Sequence, residues 1–154
     1  MSTADNCIKK SKQWRGLNES TKYKQCQDEI IIPWRKKVKR PYVTCRNTKW
    51  CGIAIASLLM QCLVKGFSYS ASCKTQREYY KRNKRWLNKT VRPYKGLIIF
   101  IEGHEGIVEY TRADGTGLYW SGNCNNAYLP SKFNWKTGKA GKKKILGYGK
   151  PIYK

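Results

Sequence analysis

A cysteine is a nucleophile only as its thiolate, and a free thiol with a pKa of about 8.5 is mostly protonated at neutral pH. Two devices lower that value: the positive end of a helix, and a neighbouring histidine that holds the proton. In this sequence Cys51 and His104 are placed to combine them. Cys51 opens the most apolar segment of the chain, residues 51–64 (Cys-Gly-Ile-Ala-Ile-Ala-Ser-Leu-Leu-Met-Gln-Cys-Leu-Val). That segment is apolar nearly all round, the pattern of a helix buried on most sides, so Cys51 falls in a helical first turn. His104 is the only histidine. It sits in the turn Glu102-Gly-His-Glu-Gly106 at the start of a strand, where a side chain can be aimed across a cleft. Any Cys–His chemistry here must use it. Composition and spacing alone leave a second possibility open: a cysteine beside a tryptophan serves packing, and a histidine in a turn serves as a solvated polar group.

The elements that must bring the two together are legible as helices followed by strands. Helices are expected over 4–15, capped by Ser2 or Asp5, and over 20–32, with Gly16 between them. Pro33 is expected to end the second, because its ring disfavours helical geometry in the preceding residue. The basic stretch 35–40 then reads as a connector bounded by Pro41. Asn47 or Thr48 is placed to cap the buried helix and Gly66 to close it. Residues 73–85 read as a polar surface helix. After Pro93 the texture changes to strands: 96–101, 106–110, then an Asp114-Gly115 hairpin into 117–121, and a last strand over 144–148. Helices first and an antiparallel sheet later is the α+β pattern. With 154 residues, 40% of them hydrophobic, and no repeat or linker, residues 1–154 read as a single domain.

The seven cysteines include no C-x-x-C pair and are odd in number. That spacing argues against a zinc ribbon and against a secreted disulfide framework. Apart from Cys51 they read as reduced, small apolar core residues. Lys and Arg total 32 against 9 Asp and Glu, a formal charge of +23. Such a field attracts polyanions: nucleic acid, an anionic membrane surface or the anionic polymers of a bacterial wall. No apolar run is long enough to span a membrane as a helix. The first residues show no basic region followed by an apolar run, so synthesis in a cytoplasm without a secretory signal is expected.

Several segments carry a resemblance. Trp50-Cys-Gly-Ile-Ala-Ile-Ala-Ser-Leu58 resembles the Trp-Cys-Ala-Ala-Phe-Val-Ser helix start of NlpC-type and CHAP cell-wall peptidases. Pro93-Tyr-Lys-Gly-Leu-Ile-Ile-Phe100 is similar to their Pro-x-x-Gly-Asp-Ile-Ile-Phe strand, and Gly103-His-Glu-Gly-Ile-Val-Glu109 to the strand that carries their histidine. Ser121-Gly-Asn-Cys-Asn-Asn126 is similar to their Glu-Gly-Asn-Thr element, and Leu146-Gly-Tyr-Gly-Lys-Pro151 to the close of phage lysins. The opening Trp14-Arg-Gly-Leu-Asn-Glu19 fits as well, so the motifs follow the family's order over nearly the whole chain. The departures are Leu97 for the usual Asp, Glu105 for an apolar residue after the histidine, and Gly52 for a common Ala.

The resemblance implies a papain-like NlpC/CHAP fold, with the nucleophile at the start of a buried helix packed on a C-terminal antiparallel sheet. It implies a hydrolase that cuts an amide bond in peptidoglycan, as an endopeptidase or an N-acetylmuramoyl-L-alanine amidase, most like a phage endolysin catalytic domain without a separate wall-binding domain. No metal or cofactor is implied. By position, Cys51 attacks, His104 moves the proton and Asn123 orients the imidazole, with Asn125 and Asn126 as alternatives. Tyr42 is the candidate second oxyanion donor beside the Cys51 backbone N–H. Trp50, Trp120, Lys142, Lys143 and Lys144 are candidates for contacting substrate or wall. The charged runs 35–40, 81–85 and 136–144 stand in for a wall-binding domain, with Trp86 and Trp135 as further sugar-stacking candidates. A monomer is expected, released to act on the wall or carried in a virion, and binding nucleic acid only non-specifically. The rival class is a basic, non-enzymatic nucleic-acid-binding protein, suggested by Lys and Arg interleaved with Tyr and Trp; no ribonucleoprotein motif, GxxG loop or zinc-finger spacing supports it.

Overall fold

Alternating side chains decide the architecture of the second half. In the strand Ile98–Ile101 all four residues are buried, so neither face of the sheet meets water. Ile98 and Phe100 join one apolar cluster with the helices, while Ile99 and Ile101 join another with Leu97, Val108, Tyr119, Phe133, Ile145 and Tyr148. That second cluster fills a barrel. In a computed structural model describing residues 3–154, the strands are β1 (Trp86–Asn88), β2 (Ile98–Ile101), β3 (His104–Thr111), β4 (Thr116–Cys124), β5 (Ala127–Asn134), β6 (Lys139–Ala140) and β7 (Lys143–Gly149). They pair antiparallel in the order β1-β7-β2-β3-β4-β5-β6, and β6 pairs again with β7. Six strands therefore form a closed ring, with β1 attached outside it along β7.

This closure corrects the expected papain-like NlpC/CHAP fold: the chain is a closed six-stranded antiparallel barrel accompanied by a few short helices. The strands that close it, β5 and β6, are not signalled by the sequence. β5 contains Pro130, which lacks an N–H and is normally confined to an edge. Pro130 pairs only toward Trp120 of β4, and β5 meets β6 only at Asn134↔Lys139, so the missing donor faces no ladder.

The helices are α1 (Thr3–Gln13), a run built from α2 (Tyr23–Cys26), a π-helical turn (Gln27–Ile31) and α3 (Ile32–Val38), then α4 (Cys51–Gln61) and α5 (Cys73–Arg82). Asp5 lies in the first turn of α1 and pairs with Lys95 at 2.9 Å; Ser2 lies outside the described residues. Pro33 does not end the second helix, which runs on to Val38. The Glu29 carbonyl, which a residue 33 with an N–H would bond, accepts instead from Gln61 Nε2 at 2.9 Å, and the Ile30 carbonyl accepts from Ser57 at 2.6 Å. α4 supplies donors that the proline cannot. The stop comes at Lys39, in left-handed geometry at φ 59.

α4 is buried from Cys51 through Leu59 and packs on the outer face of β3 and β4, where Ile107 and Trp120 join its cluster. Its N-terminal end is pressed closest. A Cβ on Gly122 would stand 2.7 Å from the Ala54 methyl and the Trp50 ring, so β4 needs glycine there to approach α4. That contact sets Cys51 beside the residues flanking Gly122.

Candidate active site

Cys51 is the first residue of α4, and no side chain caps the helix. Asn47, expected as a cap, instead braces its own loop: its Oδ1 accepts from Thr44 N–H at 2.8 Å and its Nδ2 donates to the Tyr42 carbonyl at 2.8 Å. The unbonded N–H groups of an uncapped first turn favour negative charge beside them, here the Cys51 sulfur. His104 opens β3 opposite Ile101. Its Nε2 shares a hydrogen bond of 2.8 Å with the hydroxyl of Ser121, which is fully buried on β4. Nδ1 is the ring nitrogen that this bond leaves unengaged.

Cys51 has a second partner. Its Sγ lies 3.5 Å from the Sγ of Cys73, which is the first residue of α5, a helix capped by Ser72 Oγ accepting from Thr75 N–H. Gln76 ties the two helix starts together, donating to the Gly52 carbonyl at 2.9 Å and the Ser70 carbonyl at 2.7 Å. A Cβ at residue 52 would fall 2.3 Å from the Ala71 carbonyl oxygen and 3.2 Å from Glu105 Oε1. Gly52 thus lets the Ala71 backbone and the Glu105 carboxyl close on the start of α4.

The Cys51 thiol is pulled down to about 4: the Cys73 hydrogen bond contributes most, followed by the hydrogen bond and charge of His104 and the charge of Lys49, all against burial, which pushes it up. Lys49 is held nearby by its ammonium donating to the Gly103 carbonyl. The Cys73 thiol is pushed up by its hydrogen bond to Cys51, by burial and by Glu105, so Cys51 is the sulfur of the pair more readily ionised.

Glu105 is fully buried, and neither carboxyl oxygen has a hydrogen-bond partner of ordinary geometry. Burial pushes its carboxyl well above the usual range, and the Cys51 charge adds to this; the Cys73 thiol pulls the other way. A carboxyl raised in the folded state is least costly below its unfolded value of about 4.3 and destabilises the fold increasingly as pH rises above it. Glu105→Met, which removes both unpaired oxygens, should therefore stabilise the protein by about 1–3 kcal/mol at neutral pH. Thermal unfolding from pH 4.5 to 8 checks this; a gain that does not grow with pH contradicts it.

Other expected site residues stand elsewhere. Asn123 lies at the bulged end of β4 in left-handed geometry, as do Asn125 and Asn126 in the turn that follows. Among the described residues, none of the three hydrogen-bonds the imidazole; Ser121 does. Ser121 occupies the position that the resembled motif fills with Glu, which is the signal that could have found it. Tyr42 is 88% exposed in the loop before α4, with no described contact to Cys51. Trp50 and Trp120 are core residues, 0% and 3% exposed, their indoles donating to Glu19 and Glu109; this burial corrects their assignment as wall contacts. Trp86 packs on Phe100. Lys142, Lys143 and Lys144 are exposed. Lys144 lines a groove of about 480 Å³ with Lys89, Trp135, Lys136 and Lys139 on the β6 side of the barrel. Trp135 there carries Arg92 and Lys136 against its ring.

All seven cysteines are free thiols, and six form neighbouring pairs: Cys7 with Cys62, Cys26 with Cys45, and Cys51 with Cys73. Among the described residues, no three His, Cys, Asp or Glu side chains are arranged to hold a metal ion, and no helix is long and apolar enough to cross a membrane. No family model, curated protein or solved structure matches the chain.

Proposed function

We propose that this chain is a cysteine hydrolase that opens an amide bond in bacterial peptidoglycan. The carrying observation is the Cys51 sulfur at an uncapped helix start, lowered by Cys73 and by a histidine whose far nitrogen is held by Ser121. Cys51 Sγ attacks the amide carbonyl, and the oxygen that gains charge is met by first-turn N–H groups of α4. His104 delivers a proton to the departing amine, then takes one from the water that hydrolyses the thioester. Ser121 keeps the ring turned for both transfers.

Support for the substrate class comes from the ordered motifs around Cys51, His104 and Ser121 and from the +23 charge. Anionic wall polymers are the complementary surface, and the exposed Lys142–Lys144 stretch and the Trp135 groove are where they would adhere. The test is digestion of purified walls, with muropeptides identified by mass. A free sugar lactyl carboxylate with a free alanine amine marks an amidase; new termini inside the peptide mark an endopeptidase. Iodoacetamide pretreatment should abolish either product. Intact walls together with tight, salt-sensitive DNA binding would establish the nucleic-acid-binding class instead.

A further inference from the structure

Two thiols 3.5 Å apart, at the starts of two helices clamped by Gln76, need little motion to join. Cys51 opens α4 near an imidazole and Lys49, which favour its thiolate; Cys73 is partly exposed and shares its surroundings with a buried carboxyl. The remaining close pairs lack this asymmetry with a base. Cys26 and Cys45 are fully buried in the core, and burial pushes both thiols up. Cys62 is lowered by Cys7 and Lys10, but no histidine adjoins it.

We infer that Cys51 and Cys73 form a peroxide-reactive dithiol, Cys51 being the peroxidatic sulfur and Cys73 the resolving one. The Cys51 thiolate attacks one oxygen of hydrogen peroxide; the O–O bond breaks, hydroxide leaves and takes a proton, and Cys51 becomes a sulfenic acid. Cys73 then loses its proton and attacks the Cys51 sulfur, forming the S–S bond and releasing the sulfenic oxygen as water. Two electrons pass from the thiols to peroxide, and two waters are produced. A reducing dithiol reverses the bond by exchange. Gly52 is the enabling residue, because a side chain there would hold the Ala71 segment, and Cys73 with it, off α4. The device uses the same activated sulfur as the proposed hydrolase and locks it, but does not depend on what that sulfur cleaves.

The experiment treats the full chain with a slight excess of hydrogen peroxide near pH 6.5 and reads intact mass, peptide maps and alkylation of Cys51. Expected are a loss of two hydrogens, a peptide joining residues 51 and 73, and a fall of roughly tenfold or more in Cys51 alkylation that dithiothreitol restores. In Cys73→Ser, treated with several equivalents of peroxide, the cross-link should be absent and Cys51 should gain two oxygens, one from each of two peroxides, as a sulfinic acid that dithiothreitol does not reverse. If that variant fails to fold, the wild-type peptide map decides alone. A first cross-link at Cys7–Cys62 or Cys26–Cys45, or irreversible oxidation of Cys51 in the wild type, overturns the inference. None of these readouts requires wall digestion, so a 51–73 bond in a protein that leaves walls intact refutes only the hydrolase, and digestion without that bond refutes only the dithiol.

Discussion

Cys51→Ala should lower wall hydrolysis by roughly 10⁴- to 10⁶-fold, the scale on which removal of a covalent nucleophile acts. The sulfur is 1% exposed and alanine fits the same helical first turn, so the fold should persist. The proposed adhesion to walls should persist too, because the exposed lysines assigned to it, Lys142, Lys143 and Lys144, are left in place. The variant should therefore sediment with purified walls at low salt, leave them intact, and release them as salt screens the charges. Residual digestion within tenfold of the wild type would remove Cys51 from the chemistry.

His104→Ala should separate two properties that the wild type joins. The largest pull on the Cys51 thiol comes from Cys73, and Lys49 adds to it, so the sulfur should remain easier to ionise than a free thiol after the imidazole is gone. Iodoacetamide should still alkylate Cys51 near pH 7, with the pH profile moved upward but short of a free cysteine. Hydrolysis should nevertheless fall by roughly 10²- to 10⁴-fold, because nothing protonates the departing amine. In the wild type, alkylation of Cys51 should be nearly flat with pH from 6 to 9, where an unperturbed thiol rises steeply. Loss of alkylation and hydrolysis together in His104→Ala would show the imidazole, and not Cys73, to be the main source of the thiolate.

The elements nearest the chemistry were the most legible. The run 51–64 is apolar enough to announce a buried helix, and the lone histidine in a glycine-flanked turn announces a strand start; α4 and β3 stand there. The barrel was hidden because its closure depends on weak local signals. β5 carries Pro130 and two polar residues at its centre, and β6 is two residues long, so neither shows a strand's alternation. Pro33 misled for another reason: a carbonyl deprived of its donor, that of Glu29, was satisfied by Gln61, 32 residues away, and local propensity does not carry that information. The partners of Cys51 were also unread. Cys73 opens a polar surface helix and looks like any small residue, Ser121 replaces an acid with a hydroxyl, and Glu105 was a departure whose burial only the packed barrel reveals. Gly52 gave a warning, since glycine at a helix start marks a close neighbour as readily as an open cap.

The two-residue β6 is the narrowest join in the ring, held to β5 at one register pair and to β7 at two. Going round the six strands, it lies diametrically across from β3. Amide exchange should begin at this stave, flanked by Gly138 and Gly141 in left-handed turns, well before it reaches the stave that carries the histidine. Foreign sequence, such as a targeting module, is therefore best grafted between residues 136 and 142, where loosening the hoop leaves the sulfur and imidazole undisturbed.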